Sequence, residues 1–334
     1  MKGFDFMKRL LFAVMTFLIF ICMVSPVFAQ RDAAPDILLK GGHVIDVANN
    51  INRPMDILVK NGKIARVARN IPASEAEKVV DLSGHYITPG IIDIHVHVDP
   101  AYGLGLIADH HHFPFGVTTC VDAGTSGAKT FDKFKELIDK SRMRVLAFIN
   151  VSSAGMNENE GDPHRFNVNL MVETAKKYPD VVVGFKSAHY HGGEYKGLDK
   201  PWASVDSTIA AGNLANLPCM FDVHMRKPEF GQPERSYRGL ILDKMRPGDI
   251  HTHNYAAHFP VIMDNGKVNP DIIKAQKSGR IFDVGHGGGS IVFRNAVPAI
   301  KQGYLPDAIS TDLHSGSVNG PALGMINVMS KFLN

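Results

Sequence analysis

Residues 90–100 read GIIDIHVHVDP, an apolar run that follows YITPG and carries two histidines two positions apart. In an extended strand residues i and i+2 face the same side, so His95 and His97 project together from a segment that otherwise favours aliphatics. Two imidazoles side by side can share a metal ion. From Gly90 onward short β-branched runs alternate with amphipathic stretches. The runs are IIDIHVHVD, VTTCVDAG, RVLAFINVSS, VVVGFKSA, CMFDVHM, DIHTHNYA, RIFDVGHGG and AISTDLHS, separated by segments such as KTFDKFKELIDKS, NLMVETAKKYP and RNAVPAIKQG. Eight strands each followed by a helix, over residues 90–334, have the size and order of an α/β fold of the (β/α)8 TIM-type barrel class.

Upstream of this region, residues 36–72 alternate apolar and polar positions, with turns at Gly41-Gly42, Asn49-Asn50 and Asn61-Gly62. That pattern predicts a small antiparallel β-unit within residues 30–89, the N-terminal part of a β-sandwich. The first 29 residues form a separate piece. Lys2, Lys8 and Arg9 precede an apolar run from Leu10 to Val24, and Val27-Phe28-Ala29 supplies a small-residue cleavage site. The run is shorter than the roughly 20 residues of a spanning helix, so it reads as a secretory signal cut after Ala29. The expected location is therefore periplasmic or secreted, with membrane contact only through the signal segment.

Removing residues 1–29 takes away three basic side chains and Asp5, which lowers the formal charge from +3 to +1. No basic footprint for nucleic acid remains. The 45% hydrophobic and 21% charged content is that of an ordinary globular chain. Cys120 and Cys219 both lie in apolar strand-like runs, which excludes a disulfide scaffold and makes them core residues.

The polar residues of the eight runs gather at their C-terminal ends, where a β/α barrel carries its chemistry. They are His95 and His97, Lys186, His224, His251 and His253, His286, and Asp312. Taken singly, a strand histidine is an ordinary rim or core residue and a terminal aspartate an ordinary helix cap. A buried lysine is harder to dismiss, because its charge must be paired or suppressed. Their joint occurrence is what points to a site.

On these elements the sequence resembles the amidohydrolase superfamily, in particular its binuclear members with a carboxylated lysine. TPGIIDIHVH matches the first-strand His-x-His motif, with Lys186 on strand four, His224 and His253 on strands five and six, and Asp312 on strand eight. RPGDIHTHNY, FDVGHGGGS and PDAISTDLH narrow the likeness to dihydroorotase-like deacetylases. The resemblance covers the chain after the signal. It implies two divalent metal ions, Zn2+ by the donor types: His95, His97 and Asp312 on one, His224 and His253 on the other. Lys186, as a CO2-derived carbamate, would bridge them.

The same resemblance implies a metal-dependent hydrolase that cleaves an amide bond of a small N-acyl substrate through a metal-bridging hydroxide, with Asp312 moving the proton. Substrate contacts fall to His286 in its glycine-rich turn, to His189 or His191 after strand four, and to Arg226 in the loop after strand five. His251 and His253, expected on one face, both stay open as the strand-six ligand. Asp99 occupies the position where dihydroorotases carry an arginine for the substrate carboxylate, which favours a deacetylase over a dihydroorotase. Family members continue past the position of Asn334 with strands that complete the small β-unit, so the expectation is a truncated C-terminus and exposed strand edges, leaving room for a homo-oligomer. The alternatives are a cyclic-amide hydrolase of the dihydroorotase or hydantoinase kind and a truncated non-catalytic relic.

Overall fold

The computed structural model describes residues 36–189, 202–222, 238–259 and 261–333. The signal segment and the expected site residues His191, His224 and Arg226 lie outside the described residues. The chain divides between Pro89 and Gly90 into two compact units. No helix among the described residues is long and apolar enough to cross a membrane.

In the first unit, β1 (Ile37–Asp46), β2 (Ile51–Lys60) and β3 (Lys63–Ala68) form two successive antiparallel hairpins, as the turn residues predict. The remaining strands correct the antiparallel reading. β4 (Lys78–Asp81) and β5 (Tyr86–Ile87) both pair with β1 in parallel, giving one mixed sheet among the described residues rather than two facing layers. The connection over residues 69–77 is long enough to carry the chain back to the start of β1, which parallel pairing requires.

β1 serves both strands because it bends. Its register shifts between Leu39 and Gly42, and Gly41 takes φ +75°, a conformation that glycine adopts without steric cost. The freed backbone at this bulge is held by Asp56, which is buried and accepts from the N–H of Gly41 at 2.8 Å, the N–H of Ile71 at 2.9 Å and Lys40 Nζ at 2.9 Å.

In the second unit, β6 (Ile91–Val96), β7 (Val117–Gly127), β8 (Arg144–Asn150), β9 (Val182–Lys186), β10 (Cys219–Phe221), β11 (Ile250–His251) and β12 (Ile281–Phe282) lie side by side in chain order, every pair parallel. Helices α1 (Ala108–His111), α2 (Phe131–Ile138), α3 (Val168–Lys177), α4 (Ala203–Ala215), α5 (Pro270–Lys277), α6 (Phe293–Lys301) and α7 (Met325–Ser330) alternate with them, and Gly239–Lys244 forms a π-helical turn before β11. Sequence sets several of the helix starts. The Asn167 side chain caps α3 by accepting from Leu170 N, and Asn269 with Pro270 opens α5.

Both faces of this sheet are covered, which explains runs too apolar to alternate. Along β8, Val145, Ala147 and Ile149 join a cluster with Phe131 and Phe134 of α2 and Met171 of α3. Phe148, with Leu146 packed alongside, faces the other way and meets Val121, Met220 and Ile250. The eighth run behaves differently from the other seven. Within residues 307–313, Ala308 bridges Asp283 and Leu313 bridges Val96, both in parallel, so the segment touches each edge of the seven-stranded sheet. Val284 N donates to Ala308 O, His97 N to Leu313 O and Asp312 N to His95 O. A continuous strand is broken by Asp312, whose φ is +46°.

Replacing Asp56 by Ala leaves two backbone N–H groups of the first unit without their acceptor, and we expect a loss of about 2–4 kcal/mol in chemical unfolding. Burial raises the Asp56 pKa, but the N–H groups of Ile71 and Gly41 and the Lys40 ammonium outweigh it, so the carboxyl is held below its ordinary 3.8. Its stabilisation is therefore present above 3.8 and lost as pH falls through the lower folded value. Wild type should lose more stability than Asp56→Asn on acidification across that window; equal losses would remove Asp56 from the acid response.

Candidate metal centre

The C-terminal ends of the strands converge on one cavity of about 120 Å³, lined by His95, His97, Leu104, Met156, Lys186, His189, Asp222, His253, Asp312 and His314. His95 and His97 leave β6 on the same side, their ring centroids 5.5 Å apart, and both are buried. Asp312 comes from the segment beside β6 and places Oδ1 3.4 Å from His95 Nε2 and 3.2 Å from His97 Nε2. One donor atom from each of the three falls within 4.8 Å of the others.

Lys186 ends β9 and is 1% exposed, yet its Nζ makes no hydrogen bond or ion pair among the described residues. Gly124 makes room for its stem, because a Cβ there would lie 2.7 Å from Lys186 Cβ. His253, two residues past β11, takes φ +59° and directs Nε2 to 3.2 Å from Asp222 Oδ2 and 4.0 Å from Asp312 Oδ2. Its Nδ1 lies 2.6 Å from the carbonyl of Gly285 and so donates to it. His189 bridges two carboxylates, Nδ1 at 2.7 Å from Glu160 and Nε2 at 2.8 Å from Asp222.

Electrostatics divides these groups. His95 is pushed down to about 4, chiefly by burial and against the pull of Asp312, so it is neutral at ordinary pH. Burial works to raise Asp312, but the neighbouring imidazoles of His95, His97 and His253 hold its carboxyl below the usual range. His253 is raised to about 9, the Asp222 carboxylate overcoming burial, and His189 is raised by Glu160 and Asp222. A neutral imidazole and an ionised carboxylate thus confront each other in a buried site, and among the described residues His95 Nε2 has no hydrogen-bond partner. A divalent cation would satisfy both, and histidine nitrogen with carboxylate oxygen is a donor set for zinc. The residues fit a metal.

No family model matches the chain. It is 31% identical over 325 residues to a deacetylase of Brucella anthropi, a match covering 91% of this chain and 70% of the relative. A solved adenine deaminase is 28% identical, with a TM-score of 0.77 over 89% of this chain and 78% of that one. A solved dihydroorotase has the same identity and coverages, with a TM-score of 0.71. The chain belongs to the amidohydrolase superfamily. It is a hydrolase of carbon–nitrogen bonds other than peptide bonds.

Of the residues expected in this amidohydrolase's site, the structure brings together His95, His97, Lys186, His253 and Asp312. His286 is not among the cavity-lining residues: its Nδ1 is 2.9 Å from Gly287 O, and its Nε2 is 2.7 Å from Lys331 Nζ. His251 and His253 do not share a face as an extended strand would require. His251 stacks on Phe259 at 4.0 Å away from the cavity, while the left-handed turn at His253 redirects the chain. His189, weighed against His191, lines the cavity. Asp222 and His314 also line it and were not singled out; each stands two positions from a proposed ligand, Asp222 before His224 in FDVH and His314 after Asp312 in TDLH.

Gly287 lies at φ +51°, where a Cβ would fall 2.3 Å from Asp312 Oδ2. Gly287→Ala should therefore displace the carboxylate and weaken divalent-metal binding by about tenfold or more, read by chelator competition, whereas the same change at Gly288, where nothing lies within 4 Å, should leave binding close to wild type.

Proposed function

We propose that this amidohydrolase cleaves the amide bond of a small N-acyl compound in the manner of a deacetylase. The observation that carries the reading is the convergence of His95, His97, Lys186, His253 and Asp312 on one small cavity, and the relative named a deacetylase supports it. In this reading the second unit is a (β/α)8 barrel, its eighth position filled by residues 307–313. Residues 1–29 are an export signal and the mature chain acts outside the cytoplasm.

His95, His97 and Asp312 would hold one ion and His253 with His224 a second, with Lys186 carboxylated between them. Zn2+ ions bound there would polarise an acyl carbonyl and lower the pKa of water to near neutrality. The remaining steps belong to the chain. Lys186 is buried and lines the cavity, and a lysine amine placed there can take up CO2 as a carbamate. Asp312, its Oδ1 beside His95 and His97 and its Oδ2 turned toward His253, is placed to take a proton and return it to the leaving amine. Leu104 and Met156 supply an apolar wall for a short acyl group.

Elemental analysis of the purified chain, expressed with bicarbonate, should find about two divalent ions per molecule, and Lys186→Ala should lose most of them together with about 10³-fold in kcat/KM. Turnover of N-acetyl amino acids with release of acetate supports the deacetylase reading. Turnover of dihydropyrimidine or hydantoin rings without acetate release would replace it with the cyclic-amide alternative, and a folded chain that binds no metal would contradict both.

A further inference from the structure

Two of the cavity histidines are wired identically. His97 Nδ1 lies 2.7 Å from Thr125 Oγ1, and Thr125 Oγ1 lies 2.8 Å from Asp122 Oδ2. His95 Nδ1 lies 2.7 Å from Thr252 Oγ1, and Thr252 Oγ1 lies 2.8 Å from Asp283 Oδ2. Both threonines and both aspartates are fully buried, so water does not compete for these bonds. Thr125 and Asp122 sit on β7, whereas Thr252 follows β11 and Asp283 follows β12, so the two arrangements arise from different parts of the sheet.

We infer that Thr125 and Thr252 are positioning residues, each backed by a buried aspartate, that fix His97 and His95 with the proton on Nδ1 and the lone pair of Nε2 aimed into the cavity. A hydroxyl has one proton. Asp122 already accepts from Thr125 N at 2.7 Å and Val98 N at 2.8 Å, and Asp283 accepts from Ser310 Oγ at 2.6 Å; as acceptors they take the threonine proton. Each threonine oxygen is then left to accept, and only an Nδ1–H can donate to it. The carbonyl of Gly285 likewise accepts from His253 Nδ1, while His253 Nε2 faces the Asp222 carboxylate. His314 is the contrast: its Nδ1 accepts from Gly316 N at 3.1 Å, which puts the proton of a neutral ring on Nε2 and makes it a donor rather than a ligand. Metal-binding histidines are ordinarily oriented by a carboxylate, carbonyl or water on the second nitrogen; here a threonine hydroxyl relays the carboxylate.

This inference rests on the metal-site reading, and two measurements on the full chain separate them. Zn2+ affinity, by competition with a chelator, should fall about 10–100-fold in Thr125→Val and Thr252→Val and return to within about threefold of wild type in the Ser variants. Folded Val variants that bind Zn2+ as tightly as wild type overturn the relay, and a wild type that binds none overturns the metal site. Independently of metal, 15N spectra of histidine-labelled apoprotein should show His95 as the Nδ1–H tautomer in wild type and shifted toward Nε2–H in Thr252→Val, where Asp312 offers Nε2 an acceptor. A wild-type His95 found as Nε2–H overturns the relay whatever the chain's affinity for zinc.

Discussion

The second unit depends on a set of buried aspartates that tie the C-terminal ends of neighbouring strands together. Asp93 of β6 accepts from Thr311 Oγ1 at 2.6 Å and from Thr311 N, fastening the residues before Asp312 to the strand that carries His95. Asp122 of β7 accepts from Val98 N and fixes the chain just past His97. Asp283 accepts from Thr252 and Ser310, joining the chain ends on either side of it. Burying a carboxylate is costly unless hydrogen bonds replace its water, and Asp93 records the tension: burial lifts it to about 7 although Thr311 and His95 N–H hold it down. A half-satisfied network of this kind would be worse than an apolar core, so the strand ends have little freedom to shift.

That rigidity lets the chain hold unfavourable backbone where the chemistry lies. His253 and Asp312 both occupy the left-handed region, at a cost of about 1–2 kcal/mol each. In return the two side chains leave the strand direction and point into the cavity instead of continuing the alternation of the sheet. Glycines complete the arrangement, with Gly124 giving space to Lys186 and Gly287 to Asp312. Position, tautomer and charge at the cavity are thus set before any ligand arrives, which is what a preorganised electrostatic site requires.

Much of this was legible in the sequence where the signal is local. Two histidines two apart on an apolar strand needed only the period of a β-strand, and the order of strands and helices needed only the alternation of run types. Lys186 and Asp312 stood out because polar residues at the ends of apolar runs are expensive without a purpose. What escaped depends on register and on departures from extended backbone. The separation of His251 from His253 follows from a single left-handed residue, and the eighth run stops being a strand for the same reason at Asp312. Asp222, His314, Thr125 and Thr252 acquire meaning only through partners dozens to more than a hundred positions away, and the parallel pairing of β4 and β5 with β1 follows from a crossover that turn residues do not encode.

Anomalous X-ray diffraction at the zinc absorption edge, from crystals of the full chain grown with Zn2+ and bicarbonate, tests the central claim most directly. Two peaks are expected in the cavity, one between His95, His97 and Asp312 and one beside His253, with electron density for a carboxylated Lys186 joining them. A cavity without anomalous density in crystals that carry zinc at other sites would contradict it.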